Sequence, residues 1–282
     1  MISVITVCLN SQNSILNTIN SIISQSDSNF EYIIVDGLSV DNTPNIVKEK
    51  EQTFHDKGIK FQFISEKDNG IYEAMNKGIR LACGEWIIFI NAGDLFYDND
   101  TIKRLNFFIA NNSEYGVVYG DTVICDEGLF KLNFAGNYND ITKRMPFCHQ
   151  SIITRRDILI NSPYSENYKI ASDYDFYLKY YLSNGSFKYC DFPISIFQLD
   201  GISSQNSSLL TEEYNTIRLN YGLSIINEFN KQNQIKIHVI IKDIIKFILP
   251  LDIYNKLIKY KRIKQGWEKS IEIIQQKSNK NR

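Results

Sequence analysis

Four aspartates stand where chemistry could be done: Asp36, Asp68, Asp94 and Asp173. The first three each follow an apolar stretch, and the fourth opens a helical one. Carboxylates just past buried parallel strands gather at the carboxyl edge of the sheet, where open α/β sheets bind ligands. Acids gathered at one edge repel each other unless something cationic joins them. A divalent metal carrying a phosphate group would resolve that repulsion, because hard oxygen ligands suit Mg²⁺ or Mn²⁺. Taken singly, each aspartate reads as well as a turn or cap residue. Asp36-Gly37 and Asp68-Asn69-Gly70 in particular are strong turn signals.

The elements that must position these residues alternate. Ser3 to Leu9, Glu31 to Val35 and Lys60 to Ser65 read as strands, and Trp86 to Ile90 as a strand buried on both faces. Between them, Ile15, Ile19, Ile22 and Ile23 fall on one helical face, and so do Ile71, Met75, Ile79 and Ala82. Thr43-Pro44 is a good helix start, with Thr as the cap and Pro at the first helical position. The order βαβαβαβ predicts an α/β fold with a mostly parallel, Rossmann-like central sheet flanked by helices. The regularity then breaks. A hairpin is expected at Val117 to Cys125 and Leu129 to Phe134, a strand at Cys148 to Thr154, a helix at Asp173 to Leu182, and two short strands within Phe187 to Leu199.

Some chemistries are excluded. The first strand-to-helix loop, Asn10-Ser11-Gln12-Asn13-Ser14, has no glycine. That argues against a dinucleotide fingerprint, and the chain also lacks a P-loop. Five cysteines occur with no C-x-x-C pair, which is poor for zinc or a disulfide framework and fits a reducing compartment. No signal sequence opens the chain, and no apolar run approaches a membrane span. The net charge of −1 hides an asymmetry, because from Lys231 to Arg282 the chain has 13 Lys+Arg against 4 Asp+Glu. Nothing in the body points to nucleic acid.

Three stretches together resemble family-2 glycosyltransferases of the GT-A fold. They are Thr6-Val7-Cys8-Leu9-Asn10, then Val35-Asp36-Gly37-Leu38-Ser39-Val40-Asp41-Asn42-Thr43, then the run from Asp68 to Gly78. Asn91-Ala92-Gly93-Asp94 falls where the family keeps an Asp-x-Asp metal motif, and Ala171-Ser172-Asp173-Tyr174-Asp175 where it has Glu-Asp-x-Asp. The likeness runs roughly from Ile2 to Leu199 and is nearest to bacterial enzymes of capsule, O-antigen or colanic-acid type. It implies an inverting transfer from a nucleotide-sugar donor, expected to be a UDP-sugar, to a glycan or lipid-linked glycan. The alternative weighed against it is an inactive nucleotide-sugar-binding scaffold of the same fold, because Asn91 and Gly93 replace the usual carboxylates and Ser172 replaces the usual Glu.

The resemblance also implies roles. Thr6, Asn10, Asp36 and Asp68 would bind the nucleotide, with Asp36 accepting from the base and Asp68 lying against the ribose. Asp94 would hold Mn²⁺ or Mg²⁺, and Asp173 would be the general base. Lys67, Asn91, Gly93, His149 and Gln150 are candidates for the donor sugar or diphosphate, with a core role for His149 equally open. Residues 1–205 are expected to form the catalytic domain, its nucleotide-sugar half at about 1–95 and its acceptor half at about 96–205. Residues 206–282 are expected to form a basic, amphipathic helical extension. Such a helix reads as a peripheral membrane contact, on the cytoplasmic face. Packing of the tail on the catalytic domain, or on a second copy in a homo-oligomer, is the other reading.

Overall fold

The computed structural model describes residues 1–199, 206–225, 259–260 and 262–274. The first part alternates as the sequence pattern requires: β1 (Ile2–Cys8), α1 (Ile15–Ile23), β2 (Phe30–Asp36), α2 (Thr43–Asp56), β3 (Lys60–Ser65), α3 (Ile71–Leu81) and β4 (Trp86–Phe89). Then follow β5 (Leu95–Phe96), α4 (Thr101–Ala110), β6 (Val117–Asp126), β7 (Leu129–Asn133), β8 (Ile152–Arg155), α5 (Arg156–Asn161), α6 (Ser172–Leu182), β9 (Phe187–Gln198) and α7 (Ser207–Asn220).

The strands make one sheet in the order β3-β2-β1-β4-β8-β6-β9-β5, with β7 added beside β6. The pairs β3–β2, β2–β1 and β1–β4 are parallel. Beyond β4 the expectation of a mostly parallel sheet needs correction. β8 runs antiparallel to β4 and β6, β5 antiparallel to β9, and only β6–β9 is parallel again. The antiparallel neighbours are far apart in the chain: β8 reaches β4 only after β5, α4, β6 and β7, so its direction follows from where the chain returns and not from a strand–helix–strand crossover. The result is an α/β sheet with a parallel half and a mixed half, flanked by helices, as in a GT-A-like architecture.

Local differences have local causes. The two short strands expected within Phe187 to Leu199 are one strand, β9, with register shifts against β6 where Pro193 pairs with Asp121. An irregularity is where a strand tolerates proline, which cannot donate to the ladder. The strand expected from Cys148 begins only at Ile152, because His149–Ser151 wind into a single 3-10 turn. Thr43, expected to cap α2, instead accepts the Ser11 N–H at 2.8 Å, and Asn42 precedes the helix.

Two apolar layers sandwich the parallel half. Ile5, Val7, Ile33 and Val35 face α3 and α6, while Ile2, Val4, Tyr32 and Ile34 face α1 and α2. Alternate residues of each buried strand thus serve opposite layers. On α3, Gly78 lies so close to β1 that a Cβ there would stand 2.6 Å from Ile5 Cγ2. Alanine would raise helix propensity by up to about 1 kcal/mol. The clash should outweigh that gain, so Gly78→Ala is expected to destabilise the fold by about 1–3 kcal/mol. A urea midpoint equal to or above that of the parent would show that the helix can simply move aside.

Little of the basic extension falls among the described residues. The amphipathic stretch from Ile235 to Leu249, and the one from Leu251 as far as Ile258, lie outside them. Part of what is described past residue 258 packs on protein. Arg262 pairs with Asp126 at 2.5 Å and Glu127 at 3.1 Å at the β6–β7 turn. Glu268 exchanges backbone hydrogen bonds with Phe130, and Ile274 is buried with Tyr97, Val123 and Ile196. No described helix is long and apolar enough to cross a membrane.

Candidate functional site

The loops after β1 and β2 are tied into one unit. Asp36 sits at the end of β2, fully buried, and accepts from Ser39 N (3.0 Å), the Ser39 hydroxyl, the Ser65 hydroxyl (2.6 Å) and Cys8 Sγ (3.6 Å). Ser39 Oγ accepts the Asn10 N–H at 2.7 Å, and Asn10 Oδ1 accepts the Val40 N–H at 3.0 Å. Asp41 accepts the Gln12 N–H at 3.0 Å. Asp36, Ser39, Asp41 and Thr43 are therefore the knots of a loop-to-loop lacing, which explains their spacing. Cys8 has its thiol pushed up, first by burial and then by the Asp36 charge.

Helix α3 organises the opposite wall. Tyr72 OH donates to Asp173 Oδ1 at 3.0 Å. Asn76 clamps the Tyr164 backbone from both sides, donating to its carbonyl at 2.8 Å and accepting its N–H at 3.0 Å. Lys77 reaches Glu66 and Glu73 and donates to the Lys67 carbonyl at 2.7 Å. Tyr164 OH in turn meets His149 Nε2 at 2.9 Å, and the imidazole stacks on Phe89 at 5.3 Å between centroids. Burial holds the His149 pKa below the usual histidine value, with Asp173 pulling the other way.

Between these walls lies a cleft of about 610 Å³. Asp68, Asp94 and Asp173 all line it, with Asn91, Gly93, His149 and Gln150. Three carboxylates from separate parts of the chain thus meet at the carboxyl edge of the parallel strands. Burial raises the Asp68 pKa above the usual carboxylate value, and the neighbouring Asp36 adds to this. Asp173 stands in the first turn of α6, where the helix dipole favours negative charge. Asp175, two residues on, faces away and hydrogen-bonds to Tyr221.

Other sequence candidates do not reach the cleft wall. Thr6 is buried, its hydroxyl donating to the Ile90 carbonyl at 2.6 Å and accepting from Tyr32 OH at 3.0 Å. Asn10 is exposed in the laced loop, and Lys67 is exposed outside the lining residues. Asp36 is close but engaged within the protein, and Gly37 lies between it and Asp68.

The oxygens around Asp94 suit a hard cation. Asp94 is 5% exposed and accepts the Gln198 N–H at 3.1 Å. Asn91 Oδ1 is buried and has no hydrogen-bond partner, which is costly unless something else engages it. Gly93 adopts φ +106 and donates to Thr18 Oγ1 at 2.9 Å. That conformation favours glycine over any residue with a side chain. No group of three or more His, Cys, Asp or Glu among the described residues is placed to hold a metal. One carboxylate plus one amide oxygen still fits Mg²⁺ or Mn²⁺, which commonly take their remaining ligands from phosphate and water.

Several residues that line or brace the cleft escaped sequence reasoning. Tyr72 and Asn76 lie inside the Asp68–Gly78 stretch, so the signal was present but their roles were not. Lys169 lines the cleft while its own N–H donates to Glu213 Oε1 at 2.7 Å. Leu210 and Tyr214 come from α7, beyond residue 205, so the cleft draws on both sides of that boundary. Tyr214 stacks on Tyr174 at 4.3 Å, and Arg218 donates to the Thr142 carbonyl and, at 2.8 Å, to that of Ser224. Nothing in the local pattern of α7 announces a part in the site.

A family model described as glycosyl transferase family 2 matches residues 3–165. A PGL/p-HBAD biosynthesis glycosyltransferase of Mycobacterium bovis is 31% identical over 180 residues, covering 64% of this chain and 69% of that protein. The UDP-Glc:alpha-D-GlcNAc-diphosphoundecaprenol beta-1,3-glucosyltransferase WfgD of Escherichia coli is 25% identical over 224 residues, covering 77% and 85% respectively. Among solved structures, the mannosyltransferase PcManGT of Pyrobaculum calidifontis, in complex with GDP-Man and Mn²⁺, aligns with TM-score 0.60 at 16% identity, covering 78% of this chain and 63% of that one.

Proposed function

The chain belongs to glycosyl transferase family 2, and we propose that Asp68 and Asp94 hold its donor while Asp173 activates its acceptor. It is an enzyme, an inverting glycosyltransferase that moves a sugar from a nucleoside diphosphate donor to a glycan or lipid-linked glycan in bacterial surface polysaccharide synthesis. The observation that carries the residue assignment is the meeting of Asp68, Asp94 and Asp173 in one cleft. We take the architecture as GT-A, with α7 closing the catalytic unit over the cleft.

In the reaction, a bond forms between the acceptor oxygen and the anomeric carbon. The bond from that carbon to the diphosphate oxygen breaks, and the acceptor proton passes to Asp173. A hydroxyl is a weak nucleophile, so a positioned carboxylate is needed. Asp94 and Asn91 Oδ1 would hold a Mg²⁺ or Mn²⁺, whose charge would offset that growing on the departing diphosphate. Lys169 and His149 line the same space and can face phosphate oxygens or the sugar. Asp36 has its four acceptor positions filled within the protein. For it to accept from a base, the Ser39 or Ser65 hydroxyl must turn away, which a hydroxyl does readily. Asn10 and Thr6 act one step back, holding the loops that carry the nucleotide.

A UDP-sugar donor and a diphosphate-lipid-linked acceptor follow the chemistry named for the Escherichia coli relative. The strongly basic stretch from Lys231 onward would meet an anionic membrane surface on the cytoplasmic side, bringing the cleft to such an acceptor. Thermal shift with a panel of UDP-, GDP- and dTDP-sugars, each with Mn²⁺ and with EDTA, tests the donor reading. A ligand that binds only the native state stabilises by about 2.7 kcal/mol at a hundred times its Kd. The expected result is a Mn²⁺-dependent rise in Tm for one nucleotide class. No rise with any nucleotide sugar, under either condition, would remove the cleft from donor binding.

A further inference from the structure

We propose that Tyr72 is the positioning residue for the general base, holding Asp173 so that one carboxylate oxygen stays turned to the acceptor. This rests on the assignment of Asp173 above. The observation is the 3.0 Å hydrogen bond from Tyr72 OH to Asp173 Oδ1, between residues 101 positions apart that line the same cleft.

A general base works from one oxygen at hydrogen-bonding distance from the proton it takes. An aspartate in the first turn of a helix can otherwise adopt several rotamers, and a misplacement of 1 Å can cost about 10²-fold in rate. Fixing Oδ1 leaves Oδ2 for the acceptor. Tyr72 is suited to this because it is itself buried and packed. It is 5% exposed, and its ring packs on Tyr164 at 5.6 Å between centroids. Tyr164 is clamped through its backbone by Asn76, four residues along the same helix, and through its hydroxyl by His149. Burial, and after it the charge of Asp173, hold the Tyr72 pKa well above the usual tyrosine value. The phenol therefore stays protonated and remains the donor across the working pH range.

Phenylalanine keeps the ring and its packing and removes only the donor, so Tyr72→Phe isolates the bond. Turnover is read as nucleoside diphosphate released from the nucleotide sugar that gives the largest thermal shift. Tyr72→Phe should lower kcat about 10- to 100-fold, with Kd for nucleoside diphosphate and Tm close to the parent. A residue acting through Asp173 has nothing to act on once the base is gone. Adding Tyr72→Phe to Asp173→Asn should thus cause no further loss, the non-additivity that a double-mutant cycle detects. A slow Asp173→Asn enzyme beside a full-rate Tyr72→Phe enzyme overturns this inference alone. So does a Tyr72→Phe variant that loses donor affinity or stability while keeping kcat, which marks a structural role. Full-rate turnover by Asp173→Asn overturns the base assignment and this inference with it.

Discussion

Asp94→Asn is expected to weaken Mn²⁺-dependent binding of nucleoside diphosphate by about 10²-fold or more, with the fold intact. The substitution is chosen for what it keeps. An amide oxygen can still accept the Gln198 N–H, now bonded at 3.1 Å. The Thr18 hydroxyl donates to the Asp94 backbone carbonyl, which is unchanged. What disappears is a full negative charge at a nearly buried position. A metal–carboxylate contact in such a place contributes several kcal/mol, and each 1.4 kcal/mol is tenfold in affinity. A second arm gives the test a sign. In EDTA the cleft holds Asp68 and Asp173 as well, and three carboxylates repel a diphosphate. Removing one should leave metal-free binding equal or slightly tighter. Calorimetry with and without Mn²⁺ reads both arms. Parent-like Mn²⁺ dependence in Asp94→Asn would take the metal away from this residue.

The parallel half of the sheet was legible because its signal is local. Short Ile- and Val-rich runs and helical stripes such as Ile15, Ile19 and Ile22 fix the period, and all of these residues are buried. The mixed half was not. Whether β8 enters parallel or antiparallel depends on where the chain returns in space, and no periodicity encodes that. That Asp68, Asp94 and Asp173 line one cleft was legible because a carboxylate at a strand end or helix start is visible as such. Their partners were harder. Tyr72 reads from sequence as one more aromatic on an apolar face, and its hydroxyl gains meaning only through Asp173, 101 positions away. Leu210 and Tyr214 reach the site on a helix whose own pattern is unremarkable.

The laced loops show the same limit from the other side. Asp36, Ser39, Asp41 and Thr43 stand out in sequence as one motif, and Asp36 reads from it as a ligand contact. The structure uses Ser39, Asp41 and Thr43 to accept the N–H groups of Asn10, Gln12 and Ser11 in the neighbouring loop. Unpaired N–H groups at the edge of a cleft would otherwise compete for ligand or water. A glycine-free loop can therefore be held rigid by side chains from its neighbour, where a dinucleotide-binding fold would use glycines and a helix N-terminus.

Asp173→Asn is expected to lower kcat by about 10²- to 10⁴-fold, the usual contribution of a positioned base. The side chain keeps its size, and an amide oxygen can still accept from Tyr72 OH, so the wall of the cleft should stand. A base deprotonates the acceptor and need not touch the nucleotide. Donor affinity should then be nearly unchanged, and the loss should fall on kcat and kcat/KM together, as for an interaction made chiefly in the transition state. Asp175 supplies the control within the same helical turn. It faces Tyr221, and burial raises its pKa above the usual carboxylate value. Asp175→Asn keeps an oxygen for Tyr221 and removes a half-buried charge, so turnover close to the parent is expected. The comparison is read from initial rates of nucleoside diphosphate release and from the product glycan with any accepted acceptor. If Asp175→Asn is slow and Asp173→Asn is not, the base is Asp175 and α6 is read in the wrong register. If both run at the parent rate, the proton leaves by a route that does not involve α6.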